Sequence, residues 1–585
     1  MAEELAMRCC TSATLDIKYV QRRFEHEGLW FLAVTLADFG KSFQRWLDQG
    51  FVVPSDAPSF KRTRGRRSGL PAFLSGFLGR VFDPCSGVLL DEPDIETIYA
   101  IRQLTLLFSK IAYSGNSFSS EPRRQTTKVV SPEREKLAMS EYVQCERDVK
   151  RSDSYLDESF LEDFRRMSEV LFGELFAKVD RDIYWGRLTP KHGPGATADR
   201  LRGNAKYDQR TWTRRMERVL PALFFLSPNQ SFDAEISEGL NIIEPGAELP
   251  VRVISVPKTI KTPRIIAIEP TAMQYAQQAL QRAFRDSMKE DDFLSRVIGT
   301  DDQEPNRVLA RSASRSGELA TLDLSEASDR VSNQHVLAML SGYPHLSEAV
   351  QATRSRKADV PGFGVLRLAK FASMGSALTF DLEAMVFLTI IFLAIEQESS
   401  TLLHRDELIK LYRDKVRVFG DDLIVPRECV LSVVDVLSTF GYKVNVGKSY
   451  WTGRFRESCG REYFDGHDVS IVKLRQAFPT SRQDATGVIA LVKFRNQCYW
   501  SGLWQSAKWL DVRIRKLLNG VFPNVAPTAP VLGRETALGY QFQRLDPNYH
   551  SPLVKGYFVV AKSPPSKLEG PGALLKCLLR SEPGQ

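Results

Sequence analysis

Two adjacent acids, Asp421 and Asp422, stand behind Gly420 in RVFGDDLIV, with apolar residues on both sides. Glycine and acids between two short apolar runs are the composition of a β-hairpin tip. Carboxylates this close repel one another, so a cation or solvent must offset them. A third acid, Asp323, ends the apolar run of TLDLS. If that strand lies beside the hairpin, Asp323 and Asp421 converge at one sheet edge. Carboxylates from two strands can hold a pair of divalent cations about 3.5–4 Å apart, and such a pair acts on phosphates. Asp422 is then a less direct ligand or an electrostatic support. Lys258, Lys261 and Arg264 in PKTIKTPR supply the opposite charge. On a hairpin with this spacing they can face one anionic ligand, and a triphosphate matches acids plus metals on one side and cations on the other. Taken singly, each piece has an ordinary reading: an acidic turn, or a solvated basic turn.

These residues need a scaffold of strands and helices. VRVISVPKTIKTPRIIAIEP reads as two strands joined by a basic turn, with a helix behind it that carries Tyr275, Gln277 and Gln278. GELATLDLSEASD reads as a strand over Leu319–Leu324 passing into a helix near Ser325. SMGSALTFDLEAMVFLTIIFLAIEQE reads as a glycine turn feeding a long helix. Its apolar stretch, Ala384 to Ile395, is too short for a hydrocarbon core that needs about twenty residues, so a buried helix is expected. ECVLSVVDVLSTFGYKVNVGKS gives a helix stopped near Gly441 and a strand behind it. Upstream, Ser154 to Asp182 reads as one helix and HGPGAT as a tight turn. Residues 1 to about 110 read as mixed. The stretch from 476 onward reads as further helices and a Pro/Gly-rich end, AKSPPSKLEGPG. A basic patch, Lys61 to Arg67, either holds phosphates or is a solvated loop, and a polar stretch, Ser114 to Lys136, reads as a surface loop or linker. The mixture of strands and helices makes the chain α+β or α/β.

The 585 residues allow about four domain-sized units. With 43% hydrophobic and 26% charged residues, a disordered chain, a fibrous repeat and a disulfide scaffold are excluded. Lys and Arg total 79 against 71 for Asp and Glu, a modest excess that permits a nucleic-acid partner without demonstrating one. The 8 Cys are scattered without a C-x-x-C pair and only 7 His are present, which speaks against structural zinc. No signal-peptide pattern opens the chain, and a reducing compartment is expected. His192 and Cys459 have no partner at a recognisable spacing. Tyr184 and Trp185 read as core aromatics in preference to base-stacking ones.

In order along the chain, VPKTIKTPRIIAIEP, TLDLSEASD, SMGSALTFDLE, VRVFGDD, GYKVNVGKS and FRESCG, with GPGAT before them, resemble the RNA-directed RNA polymerase (replicase) subunit of small positive-strand RNA bacteriophages. The specific matches lie between about 190 and 470, and the length suits the whole subunit. The resemblance implies an α+β right-hand polymerase with fingers, palm and thumb, its antiparallel palm sheet flanked by helices. It implies an N-terminal region over 1–110, fingers over 111–300, palm over 301–345 and 371–475 around a fingers insertion at 346–370, and a thumb with the C-terminal region over 476–585.

By that resemblance Asp323, Asp421 and Asp422 are the palm acids and bind two Mg²⁺ ions, with Mn²⁺ as the alternative. Lys258, Lys261 and Arg264 line the nucleotide entry path. Gly375 and Ser376 form a loop under the template–nascent pair, and Thr379 begins the helix behind it. Phe419 replaces a tyrosine common in the family. Glu383 stands where many RNA polymerases carry a ribose-reading asparagine. Ser328 and Asp329 are then the candidates for the ribose 2′-hydroxyl, Asp329 favoured, with Ser376 as a second partner. Either Lys443 or Lys448 protonates the departing pyrophosphate. FRESCG resembles the strand that grips the primer end. The implied partners are an RNA template and product, ribonucleoside triphosphates, host elongation factors Tu and Ts and ribosomal protein S1, with no membrane, in the cytoplasm of an infected bacterium. The competing readings are a reverse transcriptase, an inactive polymerase-like RNA-binding scaffold, and a two-metal nuclease.

Overall fold

The structure is a computed structural model and describes residues 1–61, 69–111, 131–561 and 567–581. The basic patch beyond Lys61, the polar stretch up to residue 130 and residues 562–566 of the Pro/Gly-rich end lie outside the described residues.

Four strands form the central antiparallel sheet, in the order Lys443–Val444, Leu319–Ser325, Asp422–Pro426, Arg417–Phe419. Alternation explains its two faces. Ala320, Leu322 and Leu324 enter the largest core together with Leu423 and Val425. The residues between them therefore point to the other face, Asp323 among them. On that other face Leu319 and Ile424 close a small cluster with Ala313.

The helix Thr379–Ser399 is apolar on every side, and its residues from Asp381 to Glu396 are all buried. A helix of that kind belongs in the middle of a core, not on its surface. It packs against Glu158–Tyr184 and Val430–Thr439. The expected antiparallel sheet flanked by helices is thus present, within an α+β chain.

A second four-stranded sheet, ordered Arg264–Ile268, Val251–Val256, Lys357–Val360, Gly364–Arg367, carries the basic turn. Its inner pair, Val251–Val256 and Lys357–Val360, is parallel and the other pairings are antiparallel. The helix Thr271–Glu290 follows, as read from the sequence. A three-stranded sheet, Phe455–Ser458, Arg461–Phe464 and His467–Asp468, lies beyond the first.

Several expectations change. The described part of residues 1–110 is largely helical, with Thr14–Glu27, Leu36–Gln49 and Ile95–Leu106 as its main helices. Its aromatic core, Phe39, Phe43, Trp46 and Phe82, is continuous with Phe455, Phe464, Val488 and Leu510, so the two ends of the chain share one core. Ser154 to Asp182 is split between two helices, because Asp157 caps a new one at Glu158 by accepting from the Ser159 N–H. The Pro/Gly-rich end runs into a helix, Gly570–Ser581, whose proline occupies the first turn, where no N–H is needed. Tyr184 and Trp185 are 61% and 64% exposed, not core, because they fall where the Glu158–Tyr184 helix ends. No helix of the described residues is long and apolar enough to cross a membrane.

Candidate active site

The three acids meet at the edge of the central sheet. Asp323 and Asp422 are direct cross-strand partners, so both side chains leave on the face opposite the main core. Phe419 pairs with Asp422, which leaves Gly420 and Asp421 as a two-residue hairpin loop. Gly420 has φ +59°, and an added Cβ would lie 2.7 Å from the Phe380 ring. Only glycine satisfies both the backbone and the space. Burial, then repulsion from Asp323, pushes the Asp421 carboxyl up. Burial, then Asp421 and Asp323, raises Asp422 to about 7. Asp422 also accepts the Cys459 N–H at 3.3 Å, which ties the hairpin to the Phe455–Ser458 strand region.

Asp323 is held from the far side. Asn445 Nδ2 donates to its Oδ2 at 2.9 Å, and Lys448 Nζ lies 3.2 Å from the same oxygen. Burial pulls Lys448 down, but Asp323 and Glu457 outweigh it and its ammonium is held above the ordinary range. Lys443 goes elsewhere. It is 58% exposed and pairs with Asp148 at 3.0 Å, beside Arg330. The GYKVNVGKS segment therefore brings Lys448 to the acids and sends Lys443 to another helix.

The basic turn lies near enough to the acids for their charges to act on one another. Lys258 is lowered by burial and by Arg264 and Lys448, while Asp421 and Asp323 pull it back up. Arg264 opens its strand, and Lys261 is exposed at the turn. A fourth cation, Lys110, comes from just beyond the Ile95–Leu106 helix. Burial, then Lys473, Lys448 and Lys258, lowers it to about 8. Like charges gather here as closely as the acids do opposite them.

Beneath the hairpin, Glu383 is buried, its Oε2 lacks a hydrogen bond, and burial raises it to about 8 against the opposing bond from Ser328. Asp421 and Asp329 both act on it, so Asp329 belongs to the same neighbourhood. Asp329 lies in the short helix Ala327–Arg330 and pairs with Lys370. Gly375 has φ +140°, and a Cβ there would sit 1.9 Å from the Ala267 carbonyl oxygen. That close approach docks the glycine loop on the Arg264–Ile268 strand, where Met374 accepts the Ala267 N–H at 2.9 Å. Ser376 turns its hydroxyl to the Leu378 N–H at 3.3 Å, and Thr379 donates to the Ser373 carbonyl at 3.0 Å.

His192 stacks on Tyr275 at 4.1 Å, and burial lowers it to about 3, as expected of a neutral packed ring. Cys459 is buried, and burial raises its thiol to about 12, which suits packing and not attack. Lys110, Tyr142, Lys370 and Asn445 were not singled out from the sequence. Asn445 sits inside a quoted motif, whereas the others become visible only through tertiary packing.

Among the described residues no three His, Cys, Asp or Glu side chains are gathered closely enough to hold one ion. The donor set still suits divalent cations. Hard carboxylate oxygens, two of them on acids pushed toward the neutral form by burial and then by neighbouring acids, are what such a cation would relieve.

Residues 247–491 match the family model described as RNA replicase, beta-chain. The RNA-directed RNA polymerase subunit beta of Qbeta virus (strain MX1) is 33% identical over 282 residues, 47% of this chain and 44% of that protein. The beta chain of Enterobacteria phage fr is 36% identical over 221 residues, 37% of this chain and 36% of that protein. That of Escherichia phage MS2 is 34% identical over 217 residues, 37% and 36% of the two chains. The chain spans less than half the length of these curated relatives. Among solved structures, the RNA-dependent RNA polymerase of a human picorbirnavirus aligns with a TM-score of 0.34 and 12% identity, over 46% of this chain and 57% of that one. The chain is similar to the RNA-directed RNA polymerase beta chains of small RNA bacteriophages, and the matched stretch contains Asp323, Asp421, Asp422, Lys258 and Lys448.

Proposed function

We propose that this chain is an RNA-directed RNA polymerase that copies a viral RNA genome from ribonucleoside triphosphates. The observation that carries the reading is the meeting of Asp323, Asp421 and Asp422 across two paired strands, opposite Lys258 and Lys448. In this reading a fingers–palm–thumb hand is built around the central sheet as palm. Mg²⁺, or Mn²⁺ in its place, would be held by Asp323 and Asp421 and would lower the pKa of the attacking 3′-hydroxyl and neutralise phosphate charge.

The chain's own groups do the rest. Lys258, Lys261 and Arg264 grip the triphosphate and orient its α-phosphorus toward the growing strand. Asp422 supports Asp421 without leaving its Cys459 contact. Lys448 is the better placed proton donor for departing pyrophosphate, since it stands at Asp323, whereas Lys443 is engaged with Asp148. Asp329, with Ser328 and Ser376, contacts the ribose, and Gly375 lets the loop lie flat against the Arg264–Ile268 strand. Base pairing selects the nucleotide, and the protein grips backbone and shape. The resemblance adds elongation factors Tu and Ts and ribosomal protein S1 as host partners in the bacterial cytoplasm.

The test is Asp421→Asn. RNA synthesis on an RNA template should be nearly abolished while RNA binding stays within roughly a fewfold, because base binding and backbone grip do not use this acid. A loss of thermal stability matching the loss of activity would mark Asp421 as a structural acid and sink the reading. Preferential deoxyribonucleotide incorporation by the wild-type chain would instead favour a reverse transcriptase.

A further inference from the structure

Lys370 is a fully buried lysine, its side chain 0% exposed. Burying an ammonium is costly unless it is paired and its donors are used. Its Nζ lies 2.9 Å from Asp329 Oδ1 and 3.4 Å from the centre of the Tyr142 ring. Tyr142 is fixed in turn, sharing a hydrogen bond with Ser373 at 2.9 Å.

The main chain at Lys370 is equally constrained. Arg354 donates to its carbonyl at 2.7 Å, its backbone bridges to Ser332, and Glu146 accepts the neighbouring Ala369 N–H. Tyr142 and Glu146 are one turn apart on the Pro132–Tyr155 helix, so one helix face holds both the ammonium and the backbone that carries it. Asp329, by contrast, is 21% exposed, and among the described residues its Oδ2 takes no hydrogen bond. A carboxylate with one oxygen clamped from behind and the other open is an oriented acceptor.

We infer that Lys370, seated on Tyr142, is a positioning residue that holds Asp329 as the acceptor for the ribose 2′-hydroxyl and so sets the preference for ribonucleotides over deoxyribonucleotides. The inference rests on the polymerase reading and on Asp329 as the ribose contact. It adds a group that never touches the nucleotide. Lys370 acts by keeping the Asp329 carboxylate from swinging. A charged acceptor makes the stronger hydrogen bond to a hydroxyl, and a fixed one loses no entropy in making it. A deoxyribose offers no hydroxyl, so its incorporation does not draw on the clamp.

The experiment is single-nucleotide incorporation by the full chain on one RNA template, with matched ribo- and deoxyribonucleoside triphosphates. Wild type, Lys370→Met, Asp329→Asn and the double variant are compared. Lys370→Met should lower kcat/KM for the ribonucleotide roughly tenfold or more, the scale of a hydrogen bond to a charged group. Deoxyribonucleotide kcat/KM should stay within about threefold, and the double variant should be no worse than Asp329→Asn, because both act through one contact. Tyr142→Leu, which removes the ring and leaves the ion pair, should shift the ratio in the same direction by a smaller factor. It serves as the test if Lys370→Met fails to fold. Equal losses for both sugars, or additive losses in the double variant, would overturn the inference and leave Lys370 as packing. Absence of any incorporation by the wild-type chain would overturn the polymerase reading itself.

Discussion

Glu383→Gln isolates the buried acid beneath the hairpin. Burial raises Glu383 from an ordinary 4.5 to about 8, so near neutral pH its carboxyl is protonated and bonded to Ser328. The sign follows from proton counting. Between those two values the folded chain binds the proton that the unfolded chain releases, so folding favoured by this group is present at low pH and is lost as pH rises through about 8. From about pH 5.5 to about pH 9 the linkage amounts to roughly 3 kcal/mol, an upper bound because water entry softens the burial penalty. Glutamine has nearly the same shape, can still bond Ser328, and cannot ionise. Urea unfolding of both proteins across this range gives the difference at each pH, in which the other titrating groups cancel. The two should be nearly equal in acid, and Glu383→Gln should gain on wild type as pH rises. Curves that run parallel over the whole range would refute the protonated buried acid and the enclosure argued for the hairpin floor.

Gly375→Ala places a methyl 1.9 Å from the Ala267 carbonyl oxygen at a backbone φ of +140°. The loop must lift off its strand, at about 1–3 kcal/mol, with faster amide exchange at 373–378 and 264–268 as the readout. Lys110, held down at about 8 by burial and three neighbouring lysines, should take up protons when a polyanion arrives. Calorimetry with tripolyphosphate at about pH 8, in buffers of different ionisation enthalpy, should show an uptake approaching half a proton that Lys110→Met removes.

The elements around the chemistry were legible because they are locally determined. A short apolar run marked the strand at Leu319–Leu324, an all-apolar run marked the buried Thr379–Ser399 helix, and GDD marked its own hairpin. Each carries its signal within a few residues. The site's charges were legible as types but not as partners. Lys443 and Lys448 are five residues apart in one motif, and nothing local says that one meets Asp323 and the other Asp148. The division follows from the short strand at Lys443–Val444, which pairs with Leu324 and Ser325 and turns at Asn445. Lys370 and Tyr142 were invisible for the same reason. Their meaning lies in a contact across 228 residues of chain between two segments that each read as ordinary. The helical N-terminal region was missed although Leu36–Gln49 carries one apolar face in Leu36, Phe39, Phe43, Trp46 and Leu47; what that face packs on is completed by residues beyond 450.

The two walls of the site share one property that argues for what lies between them. Burial, then neighbouring acids, pushes Asp421 and Asp422 toward neutrality, while burial, then neighbouring cations, pushes Lys110 and Lys258 the same way. Opposite charges this near would gain by pairing, yet among the described residues of these two walls only Lys448 closes on an acid. The sheet, the hairpin and the basic turn position the others. A simple anion would relieve the lysines and leave the acids unsatisfied, and a simple cation would do the reverse. A polyphosphate with bound divalent cations relieves both walls at once. In the proposed reading a metal–triphosphate is therefore the ligand that would satisfy both walls, where nucleotidyl transfer would need electrostatic preorganisation.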